Sequence, residues 1–339
     1  MVDRPLISVR ELAVEFRADT GTVRALDSVS LDLRPGRVLG VVGESGCGKS
    51  VTARAILRIL DRNGAITAGS ILLDPETPAQ TDLVAIDPEG QQMRNVRGAR
   101  VGLIFQEPMS ALSMQYTIGN QLFEAIRAHN DPGKTVARQK AIELLRDAGI
   151  PRPETRIDAY PFQLSGGLRQ RVGIALALAG DPDILIADEP TTALDVTTQA
   201  QILTLLRRLQ RDKNIALMLI THDMGVIAQM ADDVAVMYLG RVVEYAPVNE
   251  LFHNPRHPYS RALLRSVPNL RATPRQRLAT IGGAVPQSNA RPAGCPFHPR
   301  CPFHPRCPEI IPGGCDVTPP APVPPGAAGA SCFRLEDAA

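Results

Sequence analysis

An α/β fold built on a parallel sheet, followed by a loop-rich extension, is what this sequence predicts, and three observations predict it. Apolar runs alternate with helical patterns through the middle of the chain, as strands and crossover helices of a parallel sheet do. The run after Arg37, Val-Leu-Gly-Val-Val42, is apolar throughout and suits a strand buried on both faces. It leads into a glycine-rich turn and then a helical stretch from Ser50 to Leu60. Beyond about Asn254 the composition changes to Pro, Arg, His and Cys, which marks a boundary and a poor core former.

The elements follow in order. Leu6 to Phe16 alternates, and Val23 to Leu33 reads similarly; both predict strands near the start. Gly64 to Arg100 is polar and rich in Pro and Gly, which predicts loops and an edge hairpin. Val101 to Phe105 is a strand, and residues 115 to 160 carry helical pattern, clearest from Lys140 to Ala148. Leu168 to Ala179 and Thr197 to Arg211 predict helices, each followed by a strand, Ile184 to Ala187 and Ile215 to Ile220. Val234 to Leu239 and Arg241 to Tyr245 predict a hairpin around Gly240. The division expected is therefore 1–253 for the α/β domain and 254–339 for the extension. One short doubling, Cys-Pro-Phe-His-Pro-Arg at 295–300 and 301–306, occurs in the tail.

Bulk properties narrow the function classes. With 339 residues and 44% hydrophobic content, the chain has enough apolar material for a buried core. A formal charge of +2 gives no support to nucleic acid as the main partner. Basic residues are nearly all arginine, with lysine only at 49, 134, 140 and 213. No stretch approaches the ~18–20 apolar residues that span a bilayer, and the start carries no signal-peptide pattern, so a cytosolic location is expected. Of six cysteines, Cys47 stands alone and five crowd the last fifth. In a reducing compartment that crowding favours a metal site over disulfides.

Gly43, Glu44, Ser45, Gly46, Cys47, Gly48, Lys49 and Ser50 fit the P-loop pattern, with Val51 following, between a strand and a helix. The glycines let backbone amides turn inward to cradle a β-phosphate at a helix N-terminus. Lys49 is placed to reach the β- and γ-phosphates and Ser50 to ligate Mg²⁺. Cys47 reads as a small loop residue. The run Ile184-Leu-Ile-Ala ends in Asp188 and Glu189. Paired with the P-loop, this assigns Asp188 to the metal and Glu189 to the attacking water as general base.

Leu164, Ser165, Gly166, Gly167, Leu168, Arg169 and Gln170 resemble the signature motif of ABC ATPases, opening a helix shortly before the acidic pair. In the family that loop faces the γ-phosphate bound by another subunit. Phe105-Gln106 resembles the Q-loop, with Gln106 near Mg²⁺ and the attacking water. Ala193, Leu194 and Asp195 resemble the D-loop, and Thr221-His222-Asp223 the switch region, with His222 polarising the γ-phosphate. Phe16 is the candidate aromatic that stacks on adenine; a strand-end aromatic is also ordinary core. The resemblance implies a P-loop NTPase of ABC type: a parallel-sheet core with an antiparallel β subdomain and a helical signature subdomain.

Three further segments resemble the oligopeptide/dipeptide/nickel importer branch: Phe105-Gln-Glu-Pro-Met-Ser-Ala-Leu, Tyr160-Pro-Phe-Gln-Leu-Ser-Gly-Gly, and Asn254-Pro-Arg-His257-Pro258-Tyr259. Leu168 stands where the branch usually has Met or Gln, and 74–95 is less like its relatives. The branch implies an ATP-hydrolysing subunit on the cytoplasmic face of the inner membrane, peripheral to it, powering solute import, di- or oligopeptide foremost. Implied partners are a paralogous second ATPase in a heterodimer, two permease subunits and an extracytoplasmic binding protein. The alternatives are a soluble ABC ATPase acting on nucleic acid, an importer of nickel or another small solute, an exporter subunit, and a regulator whose cysteines sense iron or redox state.

Gly294-Cys-Pro-Phe-His-Pro-Arg-Cys301 matches the branch's cysteine segment, which is associated with a [4Fe–4S] cluster. Cys295 and Cys301 match the first two ligands and Cys332 the last. The third is Cys315 or Cys307: Cys307 fits the spacing from Cys301, and Cys315 fits the spacing back from Cys332. Thiolates suit iron–sulfur or zinc, and His298 or His304 could join a zinc site. A structural staple for a Pro-rich tail is the plainer role.

Overall fold

The computed structural model describes residues 4–19, 21–129, 132–192, 194–267, 281–286, 290–302 and 315–333. Its chain divides into two compact, discontinuous units. The first comprises Met1–Leu6, Leu33–Val38 and Ala85–Ile220; the second comprises Ile7–Asp32, Leu39–Val84 and Thr221–Ala339.

In the first unit Val101–Ile104, Ile184–Asp188 and Ala216–Ile220 lie side by side as parallel strands. Every residue of the last two is buried, which is why they read as unbroken apolar runs rather than alternating ones. Helices Ile118–Arg127, Lys134–Asp147 and Gly166–Ala177 pack on one another. Val196–Asp212 is the longest helix described and buries Ile202, Leu205, Leu206 and Leu209 at helical spacing.

The second unit holds two sheets. One runs in the order Gly21–Leu33, Ile7–Ala18, Gly64–Leu73 and Thr81–Asp82. Ile7, Val9, Leu12 and Val14 are its fully buried side, and the step from Val9 to Leu12 marks a bulge at Glu11, whose φ is 47°. In the other, Val38–Val42 pairs in parallel with Asp233–Tyr238, which forms a hairpin with Arg241–Pro247. The short strand Gly329–Ala330 adds to the outer edge of Arg241–Pro247.

The expected division at 254 falls inside this unit. Tyr259, Leu263 and Phe297 from beyond it share one apolar cluster with Val42, Val236 and Tyr238. Burying Phe297 alone is worth about 1.5–3 kcal/mol, so the tail is held by side chains as well as by its edge strand. Among the described residues no helix is long and apolar enough to cross a membrane.

Candidate functional site

In the second unit the buried strand Val38–Val42 ends at the glycine-rich loop, and the helix Lys49–Ile56 begins directly after it. Gly48 caps that helix at φ 101°, a left-handed conformation that side chains resist, and a Cβ there would meet Leu26 and the Ala25 carbonyl. A Cβ on Gly43 would overlap the Met237 carbonyl oxygen. Both glycines are thus required by the path of the loop.

Lys49 is buried, and its Nζ turns back into the loop, donating to Gly43 O at 2.8 Å and Glu44 O at 3.1 Å. Cys47 is buried beneath it; burial pushes its thiol up, opposed by the ammonium of Lys49. That agrees with a small loop residue and not a reactive thiol. The Thr221 N–H donates to Val41 O, so His222 leaves the sheet beside the strand that leads into the loop, and its side chain is exposed. Phe16 is half-buried in the other sheet, paired with Gly64, where its ring occupies the space a Cβ would need.

In the first unit the structure brings Gln106 and Glu189 together. Glu189 follows the strand Ile184–Asp188 with φ 45°, a conformation a non-glycine residue adopts at a cost of order 1–3 kcal/mol. Its N–H still bonds to Ile220 O at 2.9 Å. The bend aims its carboxylate off the sheet edge, where Oε2 accepts from Gln106 Nε2 at 3.0 Å and from Thr192 Oγ1 at 2.9 Å. Asp188, one residue earlier, is buried at the strand end.

The signature segment and the segment after the acidic pair also meet. Ser165 caps the helix Gly166–Ala177, its hydroxyl accepting from Leu168 N, and Thr198 packs over Gly167. Leu194 reaches the space beside Gly166, and Asp195 caps Val196–Asp212 through Thr198 N and Oγ1. Ala193 lies outside the described residues. Leu164 and Gln170 are buried, whereas Arg169 ties the helix to the Pro161 and Phe162 carbonyls.

The tail supplies contacts that the sequence did not signal. Tyr259 Oη accepts from the Glu44 N–H at 2.9 Å, and Arg300 holds the Glu44 carboxylate with two nitrogens at 2.7 and 3.1 Å. Residues 215 and 256 positions apart carry no local pattern. Each residue lies in a segment that carries a motif of its own, but no spacing between the segments signals their contact.

The cysteine reading gains no metal site from the fold. Among the described residues, no three His, Cys, Asp or Glu side chains lie as ligands of one metal ion would. Burial pushes the Cys295 thiol up to about 12, with Cys315, Cys332 and Cys301 near enough to add to the rise. Cys295 N–H bonds to Cys315 O at 2.8 Å, and His298, the alternative zinc ligand, places Nδ1 2.9 Å from Cys295 O. Cys307 and His304 lie outside the described residues.

Comparison with known proteins agrees with this geometry. Residues 26–192 match the ABC transporter family, and residues 243–315 match the oligopeptide/dipeptide transporter C-terminal region. The dipeptide transport ATP-binding protein DppD of Escherichia coli is 47% identical over 295 residues, covering 87% of this chain and 88% of that one. DppD of Haemophilus influenzae is 45% identical, covering 87% of each chain. The dimeric cassette MJ0796, solved in a post-hydrolysis state with ADP and Pi, superposes with a TM-score of 0.62 at 25% identity, over 71% of this chain and 98% of that one. Strand, glycine-rich loop, acidic strand end and capped Ser-Gly-Gly helix define an ATP-hydrolysing cassette. The chain belongs to the ABC transporter ATP-binding family, in the branch that carries the oligopeptide/dipeptide transporter C-terminal region.

Proposed function

We propose that this chain powers import of di- or oligopeptides, binding ATP at the Gly43–Ser50 loop and hydrolysing it with Glu189 as the water-orienting base. The observation that carries the hydrolytic part is the placement of Glu189: a bent strand end, with Gln106 and Thr192 on one carboxylate oxygen. The peptide part is supported by the dipeptide transport names of its relatives. Lys49 exchanges its two carbonyl partners for phosphate oxygens, a stronger charge-assisted contact. Ser50, Gln106 and Asp188 offer only oxygen donors, the set a hard cation such as Mg²⁺ takes, and the ion would supply charge neutralisation at the phosphates. Gly46 and Val51 complete the loop, Phe16 takes the adenine face, and His222 contacts the γ-phosphate.

Ser165, Gly166 and Gly167 face the nucleotide of a second, paralogous ATPase, and Leu194 and Asp195 line the joint between the two. Membrane permeases and a substrate-binding protein complete the assembly, which places this subunit peripherally at the cytoplasmic face. The thiols of Cys295, Cys301, Cys332 and either Cys315 or Cys307 would hold a [4Fe–4S] cluster. The match of residues 243–315 to the oligopeptide/dipeptide transporter C-terminal region supports that reading, and such a cluster would staple the Pro-rich tail. The assembled transporter tests the catalytic assignment. Glu189→Gln should bind ATP normally while turnover falls about 10²–10⁴-fold, the usual worth of a positioned base. Turnover at the wild-type rate would overturn the role given to Glu189.

A further inference from the structure

We propose that Arg300, in the cysteine segment of the tail, is a positioning residue for the nucleotide loop, acting through Glu44. Every polar group of Glu44 that the loop could present to a ligand is engaged from behind. Its N–H goes to Tyr259 Oη at 2.9 Å, its carbonyl to Lys49 Nζ at 3.1 Å, and its carboxylate to both terminal nitrogens of Arg300. Two of those three partners come from the extension and not from the ATPase motifs.

Arg300 is built for this contact. Its side chain is only 4% exposed, its Nε donates to Gly282 O at 3.0 Å, and its guanidinium lies over the Tyr238 ring, 5.8 Å from the centroid. Tyr238, Tyr259 and Phe297 form a packed aromatic floor, with centroids 4.7 to 5.4 Å apart, beneath it. The fork geometry therefore has one orientation, and that orientation is spent on Glu44.

The consequence concerns charge. Glu44 stands in a loop that, on the nucleotide reading above, must accept a polyanion. Released from Arg300, its carboxylate is free to swing toward the phosphates, repel them and compete for Lys49. Paired, it is neutralised and held back. The tail thus sets nucleotide affinity without touching nucleotide. The thiols of Cys295 and Cys301 flank the same short turn, His298–Arg300, so whatever orders that turn also fixes the loop.

Mg-ATP dissociation constants of the full chain test this. Arg300→Gln should raise Kd about tenfold with the rate at saturation nearly unchanged, and Arg300→Lys should raise it about threefold, since charge survives but the fork does not. The double variant Glu44→Gln with Arg300→Gln leaves no carboxylate unpaired and should return Kd to within about threefold of wild type. Wild-type affinity in Arg300→Gln, or a double variant as weak as Arg300→Gln alone, overturns the proposal. If Arg300→Gln does not fold, Arg300→Lys decides alone: a Kd raised about threefold supports the proposal, and wild-type affinity overturns it. A wild-type chain that binds no Mg-ATP refutes the nucleotide reading, whereas normal wild-type binding with unshifted variants refutes this inference alone.

Discussion

A histidine that is wholly buried and also caps a helix has to stay neutral, and His257 is both. Its Nδ1 accepts the Tyr259 N–H at 3.1 Å, its own N–H donates to Glu244 at 2.8 Å, and its ring also bonds to the Ser331 backbone. Burial, helped by nearby Arg261, pushes its pKa down from 6.5 to about 3. As pH falls from 6.5 toward about 3, the unfolded chain takes up a proton that the folded chain refuses. Stability therefore drops with acidification, by up to ~1.4 kcal/mol per pH unit, and above that window the residue contributes no pH dependence. Glu244 has the opposite sign, because burial raises its carboxyl and protonation there favours the folded form. Comparing wild type with His257→Asn isolates the histidine: the variant's denaturation midpoint should fall less steeply between pH 6 and pH 4. Parallel curves for the two proteins would refute the neutral-cap account.

Among the elements, the helix Gly166–Ala177 poses a question that two substitutions at Ser165 separate. Its hydroxyl caps the helix, and it is also the residue proposed to face a partner's nucleotide. Ser165→Ala should cost about 1 kcal/mol in cap energy, while Ser165→Gly should cost only a few tenths. Thermal melts of the two variants should differ accordingly, yet ATP turnover in the assembled dimer should fall in both. A loss of turnover confined to Ser165→Ala would make the hydroxyl a cap and nothing more. Such helices and the buried strands were legible because burial imposes their pattern: Ile184–Asp188 and Ala216–Ile220 are apolar at nearly every position. Gly64–Leu73 was legible only in part. With Thr81–Asp82 it makes the edge hairpin expected of 64–100, yet it also pairs along most of Ile7–Ala18. Gly64, Ala65, Ala68 and Gly69 give it little strand propensity, and the two glycines are there for close approach. The Gly69 position abuts the Arg10 and Glu11 carbonyls at the bulge, and Gly64 lies under the Phe16 ring.

At the scale of the whole molecule, the motifs could be read because each is a local string placed at a strand end. What joins them to the tail could not, since Glu44, Tyr259 and Arg300 meet only through tertiary packing. The same distinction governs the cysteines. Their spacing suggested a ligand set, whereas among the described residues no three of these side chains converge on one point. A single zinc ion needs such convergence, because all its ligands bind one centre about 2.3 Å away. A [4Fe–4S] cluster does not, because each thiolate binds a different iron. On the cluster reading, metal content of protein purified without oxygen should show about four irons and as much acid-labile sulfide per chain, with little zinc. Stripping the iron with a chelator should expose the segment from Arg291 to Cys332 to protease first, because among its described residues few are buried and apolar besides Phe297, Val323 and Ala330. About one zinc and no sulfide would replace the cluster by a single-ion site. Metal-free protein with an equally protected tail would show that Phe297, Val323 and the edge strand Gly329–Ala330 hold the extension unaided.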